Sequence, residues 1–319
     1  MGFVPPSCEY DLRMDSGSPD SSRYAGFFGS IAALASFEEL ALSPKPGLVC
    51  LDSPGSHSDM DWVAFALGAS ALAPYWRVQA LDGFHLAHYK PLEGIAEKLR
   101  ATGREMERSM YEATGGVNTH KGLIFALSLI TGAAGVCARR NEFGYDAVLG
   151  VSGDIISPLV SADLERVEKR ASRGDKLTHG EKIYLAHGLG GIRTEAAKGF
   201  PSVRMGLAAL TKALSRGASL RGAAIAALLK LMTVCEDTNV IHRGGMRFWK
   251  NEYRDRVRET ARKFDPLEPD TAGPVRELGE LLVSMGISPG GAADLLACTL
   301  FIYRSKIPDN RLIEREEYK

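Results

Sequence analysis

The sequence predicts an all-α fold: one globular multi-helix domain following a short leader. Three observations carry this. From Tyr24 onward apolar residues recur at helical spacing, in segments separated by Gly- and Pro-rich corners. Only one segment, AVLGVSGDII (147–156), has strand character, and a lone short strand cannot form a sheet. Alanine-rich runs such as RGAAIAALLKLM and GGAADLLA favour helix over strand and let helices approach closely.

Taken in order, residues 1 to about 22 are rich in Pro, Ser, Gly and Asp without periodicity and read as a flexible leader, leaving 23–319 as the domain. The first periodic run gives a helix over 24–42. A second, over 59–73, follows Ser56 and Ser58, both suitable caps. Helices are then predicted over 93–113 and over 119–139, where Asn118 and Thr119 serve as caps. Further helices span 159–172, 188–198, 202–215 and 219–235. The pair Gly244–Gly245 stops a helix ahead of 246–264, and 272–286 and 290–304 complete the set. The segments 97–107 and 251–263 intersperse both charge signs and read as solvated faces.

At 319 residues the chain can bury a large core. Lys+Arg and Asp+Glu both number 39, so no global field points to nucleic acid, and charge-driven recognition must be local. The 5 cysteines lie far apart with no CxxC, which fits a reducing cytoplasm better than a disulfide framework. No basic start precedes an apolar run, and no run approaches the roughly 20 apolar residues of a membrane span, so no membrane partner is expected. GxxxxGK[ST], GxGxxG after a strand, and GxSxG are all missing. A nucleotide site here has to be built from helix termini.

Five junctions crowd small and charged residues where a helix begins or ends: 43–61, 114–122, 187–204, 235–245 and 288–296. Each alone reads as a cap or turn. Together they pair glycines, which allow backbone approach, with helix starts, which favour anions, and with Lys45, Lys121, Arg193, Lys198, Arg204 and Arg243. His57, His120 and His242 lack HxxxH spacing and read as polar histidines rather than metal ligands. Asp59, Asp61 and Asp294 fit dipole complementarity, and Glu195 fits an ion pair with Lys198. Glu236 and Asp237 fit less well, because adjacent acids late in a helix repel each other unless a cation such as Mg²⁺ relieves them.

Read in order, PKPGLV (44–49), GSHSDMD (55–61), TGGVNTHKGLIFAL (114–127), HGLGGIRTEAAKGFPSV (187–203), EDTNVIHRGG (236–245) and SPGGAADLLA (288–297) resemble the signature blocks of the triphosphoribosyl-dephospho-CoA synthase family. The resemblance runs from about residue 38 to 302. It implies an all-helical fold and transfer of the triphosphoribosyl group of ATP to the 2′-hydroxyl of 3′-dephospho-CoA. Adenine leaves, and the product is a carrier-protein prosthetic-group precursor. Breaking the bond to adenine develops oxocarbenium character, so an acid, a base and a triphosphate clamp are expected, with inversion at C1. On this reading Lys45, Lys121, Arg193 and Arg243 contact phosphates, with Lys198, His57 and Asp59 also binding substrate. Asn118, His120, Asn239 and His242 orient the nucleotides. Glu236 and Asp237 bind Mg²⁺ or act as base, and Glu195 is the other candidate acid or base. Two positions depart from the family pattern: Cys50-Leu51 replaces an Asp-Arg pair, and Thr194 replaces a glycine. They leave open a divergent transferase with another acceptor, or a non-catalytic nucleotide binder. Apolar faces on so many helices would allow a homodimer without demanding one.

Overall fold

A computed structural model of the chain describes residues 20–88, 92–142, 144–268, 270 and 272–305. Among these residues the regular structure is helical throughout, apart from one bridge between Cys50 and Ser53. The order is α1 (Ser21–Ala41), α2 (Trp62–Leu86), α3 (Glu93–Ala113), α4 (Lys121–Arg140), α5 (Tyr145–Ser172), α6 (His179–His187) and α7 (Ile192–Ala197). It continues with α8 (Pro201–Ser215), α9 (Leu220–Val234), α10 (Thr238–Phe248), a π-helical turn (Trp249–Tyr253), α11 (Arg254–Lys263), α12 (Gly273–Ser284) and α13 (Gly290–Ser305). The predicted leader lies outside the described residues except at its end, where Asp20 caps α1 by accepting from the Ser22 and Arg23 N–H groups.

The hub is α4, apolar around its whole circumference and buried at nearly every position from Leu123 to Ala138. Helices α1, α2, α3, α5 and α13 surround it, and α13 carries the core onward to α8 and α9. A methyl group on Gly83 would overlap the Gly132 carbonyl oxygen, and one on Gly135 would overlap the Ala80 carbonyl oxygen. Helices α2 and α4 therefore touch backbone to backbone, which only glycine permits. Contrary to the sequence expectation, α4 is long and apolar enough to cross a membrane, yet 83% of its apolar window is buried inside the protein. It is a core helix. The other such helix, α5, has 44% of its window buried.

Several boundaries differ from expectation for physical reasons. The segment 147–156 is the first half of α5; a short apolar run does not distinguish a strand from a helix buried on several sides, and Val148, Leu149, Ser152 and Ile155 are all buried. Helix α2 runs through Pro74 to Leu86 because Leu72, Trp76, Ala80 and Phe84 anchor both sides of the proline in the core. Helix α6, unpredicted, starts with a capping box between Thr178 and Glu181. The predicted helix over 188–198 shrinks to α7, since Gly188 is the left-handed C-cap of α6 and Gly191 has φ 57°.

Candidate active site

Distant stretches meet at one end of α4. Asn118 caps that helix, its Oδ1 accepting the Lys121 N–H at 3.1 Å. The α1–α2 loop docks on the corner before α13: Ser56 donates to the Ile287 carbonyl at 2.6 Å, and His57 Nε2 lies 3.0 Å from Ser288 Oγ. Arg243, from α10, donates to the Gly286 carbonyl at 2.8 Å and to the Ser56 carbonyl at 3.3 Å. Between these pieces lies a cavity of about 310 Å³, and His57, Asp59, Asn118, His120, Lys121, Asn239 and Arg243 all line it. Half of the residues singled out in the sequence thus converge, although they come from three separate blocks.

Three carboxylates line this cavity: Asp59 from the α1–α2 loop and, missed in the sequence as site acids, Glu39 from α1 and Asp294 from α13. Lys45, expected on a phosphate, is instead buried and ion-paired to Glu39, with Nζ 2.5 Å from Oε1 and 2.7 Å from the Glu39 carbonyl oxygen. Asp294 accepts the Leu123 N–H at the start of α4. Burial first, then the negative charges of Glu39 and Asp237, pushes its carboxyl well above the usual carboxylate range. Gly122 leaves the room this requires, because a methyl group there would overlap Asp294 Oδ2. Beside exposed Asp59, the cavity therefore presents one ion-paired carboxylate and one carboxyl that burial drives toward its protonated form.

His120 is 3% exposed; Nδ1 sits 2.7 Å from Thr119 Oγ1, the ring packs on Phe65 with centroids 4.9 Å apart, and buried Nε2 has no partner. Burial, reinforced by Lys45, lowers its pKa from 6.5 to about 3. Between those values the unfolded chain takes up a proton that the folded chain refuses, so stability falls as pH drops through the window, by about 1.4 kcal/mol per pH unit. His120→Gln should therefore move the acid midpoint of unfolding, followed by circular dichroism, to lower pH. An unchanged midpoint would mean that the folded imidazole titrates normally.

The remaining expected residues line neither this cavity nor a second one beside it, Arg193 excepted. Glu195 accepts from the Ser202 N–H at 2.6 Å and from Ser202 Oγ at 3.0 Å, so it caps α8 rather than pairing with Lys198, and burial raises its pKa. Asp237 is 2% exposed and caps two helices at once. Its Oδ1 accepts the Asn239 and Val240 N–H groups of α10 at 3.0 and 3.3 Å, and its Oδ2 accepts the Ala292 N–H of α13 at 3.1 Å, with Gly291 also donating. Glu236 Oε2 is buried without a partner. As a Mg²⁺ pair Glu236 and Asp237 do not fit, because backbone donors already occupy both oxygens of Asp237; among the described residues no cluster of three or more metal-ligating side chains occurs. His242 is exposed and stacks on His179 with centroids 3.7 Å apart, and Lys198 is exposed at the end of α7.

The second cavity, about 430 Å³, lies between α3, α4 and α5 and the start of α7; Lys121 and Gly122 line both, and Arg193 opens onto this one. Arg100, Arg104 and Glu107 also line it, although the segment 97–107 reads as a plain solvated face. Neither family departure reaches the first cavity wall: Cys50 is buried with Sγ 3.0 Å from Asp52 Oδ1, Leu51 points outward at 53% exposure, and Thr194 bonds back to the Gly191 carbonyl at 3.1 Å.

The profile of the ATP:dephospho-CoA triphosphoribosyl transferase family (CitG) matches residues 27–311. A probable 2-(5″-triphosphoribosyl)-3′-dephosphocoenzyme-A synthase of Streptococcus equi subsp. equi is 35% identical over 280 residues, covering 85% of this chain and 94% of its own length. The 2-(5″-triphosphoribosyl)-3′-dephosphocoenzyme-A synthase of Pectobacterium atrosepticum is 38% identical over 271 residues, 83% of this chain and 84% of its own. No solved structure matches this chain.

Proposed function

The chain belongs to the ATP:dephospho-CoA triphosphoribosyl transferase family, and we propose that it carries out its transfer in the cavity shared by Glu39 and Asp294. The reaction moves the triphosphoribosyl group of ATP to the 2′-hydroxyl of 3′-dephospho-CoA and releases adenine. One observation carries the placement: in a single cavity the fold sets two acids of opposite character beside a helix start and two cations, Lys121 and Arg243.

The chemistry follows from those environments. The bond between ribose C1 and adenine breaks as the acceptor oxygen bonds to C1. Asp294, holding a proton, delivers it to the departing adenine; Glu39 takes the proton of the attacking hydroxyl. The two groups sense each other's charge, so the proton lost by one and gained by the other can be exchanged between them after turnover. Lys121, exchanging its exposed ion pair with Glu107 for phosphate, the helix start it occupies and Arg243 hold the triphosphate, which does not react but fixes C1 in place. His120 Nε2, neutral and otherwise unpartnered, bonds the bound nucleotide, as Asn118 and Asn239 do from the rim. Glu195, Glu236 and Asp237 lie outside this wall, where Glu195 and Asp237 hold helix ends. Mg²⁺ bound with ATP would neutralise phosphate charge, and exposed Asp59 at the cavity wall would be the carboxylate to hold it. Among the described residues the four cysteines are free and buried, which suits a cytoplasmic location.

Incubation with ATP, Mg²⁺ and dephospho-CoA should release one adenine per acceptor consumed. Lys121→Met should raise KM for ATP by about tenfold, while Lys169→Met, exposed near the end of α5, should change neither constant. Equal behaviour of the two variants would remove the triphosphate from this cavity.

A further inference from the structure

We infer that the second cavity, behind the α4 start, holds the diphosphate and pantetheine arm of the acceptor, so that one dephospho-CoA molecule spans both cavities. This rests on the transferase reading above. Its walls are largely aliphatic and aromatic, with Leu99, Ile124, Phe125 and Leu159 among them, and its volume of about 430 Å³ suits a ligand portion with an extended apolar chain. Four cations face it, Arg100, Arg104, Lys121 and Arg193, against the acids Glu107 and Asp163. Arg100 is committed to Asp163 at 2.9 Å and Lys121 to Glu107 at 3.2 Å. Arg104 and Arg193, both exposed, have no acid partner among the described residues, which leaves a local excess of two positive charges.

Those charges choose between the substrates. A triphosphate is a compact polyanion that would leave the apolar walls uncovered, whereas the acceptor's diphosphate carries two negative charges and continues into an amide chain with gem-dimethyl and methylene groups. Desolvating the apolar length favours the second fit, and unpaired arginines match phosphate oxygens. Position agrees as well. Of the two residues common to both cavities, Lys121 and Gly122, it is Gly122 that abuts Asp294, so a nucleoside in the first cavity and its tail in the second would meet where the main chain carries no side chain.

Gly103 on α3 provides the test. It lines the second cavity alone, and a methyl group there would have only Ile124 Cγ2 nearby, at 3.8 Å, so a larger side chain enters open space. Gly103→Leu should raise KM for dephospho-CoA by about tenfold or more and weaken its calorimetric binding equally, with KM for ATP unchanged. Arg104→Ala and Arg193→Ala, at exposed positions that do not threaten folding, should each weaken dephospho-CoA binding several-fold and reduce its salt dependence. Gly103→Leu should weaken ADP, which lacks the pantetheine arm, less than it weakens dephospho-CoA. If the three variants raise KM for ATP instead, or leave dephospho-CoA binding unchanged, the assignment is overturned. Failure of the wild-type protein to release adenine from ATP and dephospho-CoA would count against the transferase reading itself, a result separate from any variant.

Discussion

Asp294→Asn should lower kcat by about two to four orders of magnitude and leave the melting temperature within a few degrees of wild type. The asparagine can still accept the Leu123 N–H, so the helix junction survives while the transferable proton is lost. In the wild-type protein kcat should decline at the alkaline end as Asp294 ionises, and the variant should lack that limb. Glu39→Gln should produce a loss of similar size for a different reason, since it removes the proton acceptor and strands the buried Lys45 ammonium. An ATP analogue whose base departs without protonation separates the two roles: it should restore turnover to Asp294→Asn and leave Glu39→Gln inactive. Rescue of both, or of neither, would rule out the acid assignment. Gly122→Ala offers a backbone route to the same result, because its methyl group displaces the Asp294 carboxylate, the movable end of a side chain. Its effect should fall on kcat far more than on stability.

Asp237→Ala should be the most destabilising single change in the site region, at about 3–5 kcal/mol, or roughly 10 °C in melting temperature. The carboxylate gathers N–H groups from the first turns of α10 and α13, across 55 positions of sequence, and alanine leaves those donors buried and unpaired. Asp237→Asn should fall between, because its amide nitrogen would face a donor. The pH dependence has a defined sign. Burial raises the Asp237 pKa from 3.8 to about 6, so between those values the folded chain holds a proton that the unfolded chain has released. Stability from this group therefore grows as pH falls through that window and is lost as pH rises toward 6. The alanine variant should lack that slope, and a wild-type melting temperature in Asp237→Ala would show that the two helix starts are held by something else. The His120 contribution runs the opposite way over an overlapping window, so each is measured as a variant minus wild type.

The all-α class was legible because a helix buried on one side repeats its apolar residues every third or fourth position. Where burial is on several sides the period blurs, which is why 147–156 reads as a strand, whereas the predicted end of α2 at 73 falls just before Pro74, a residue that usually stops a helix. The site was legible as to its blocks and less so as to its chemistry. Asn118, His120, Lys121, Asn239 and Arg243 announced themselves as too many polar residues at helix ends, and they do share a cavity. Asp237 and Glu195 looked like reactive acids for the same reason that they make good caps, since both tasks need a carboxylate at a helix start. Glu39 was hidden in a run of ordinary helix formers, and Asp294, visible near a helix start, read as plain dipole complementarity; only the packing of α1 and α13 against α4 brings the two together. Arg104 was hidden in the same manner, as one charge among many on a mixed face.

The seam where α2 meets α4 through glycines has one more consequence. Main chain pressed on main chain leaves nothing to swing aside, so α2 and α4 keep one separation, and α4 carries its site-bearing N-terminal end on a rigid pair of helices. Engineering the enzyme toward bulkier acceptors therefore has to leave that pair untouched and carve room from the α3 and α5 sides of the second cavity, where Leu99 and Leu159 stand.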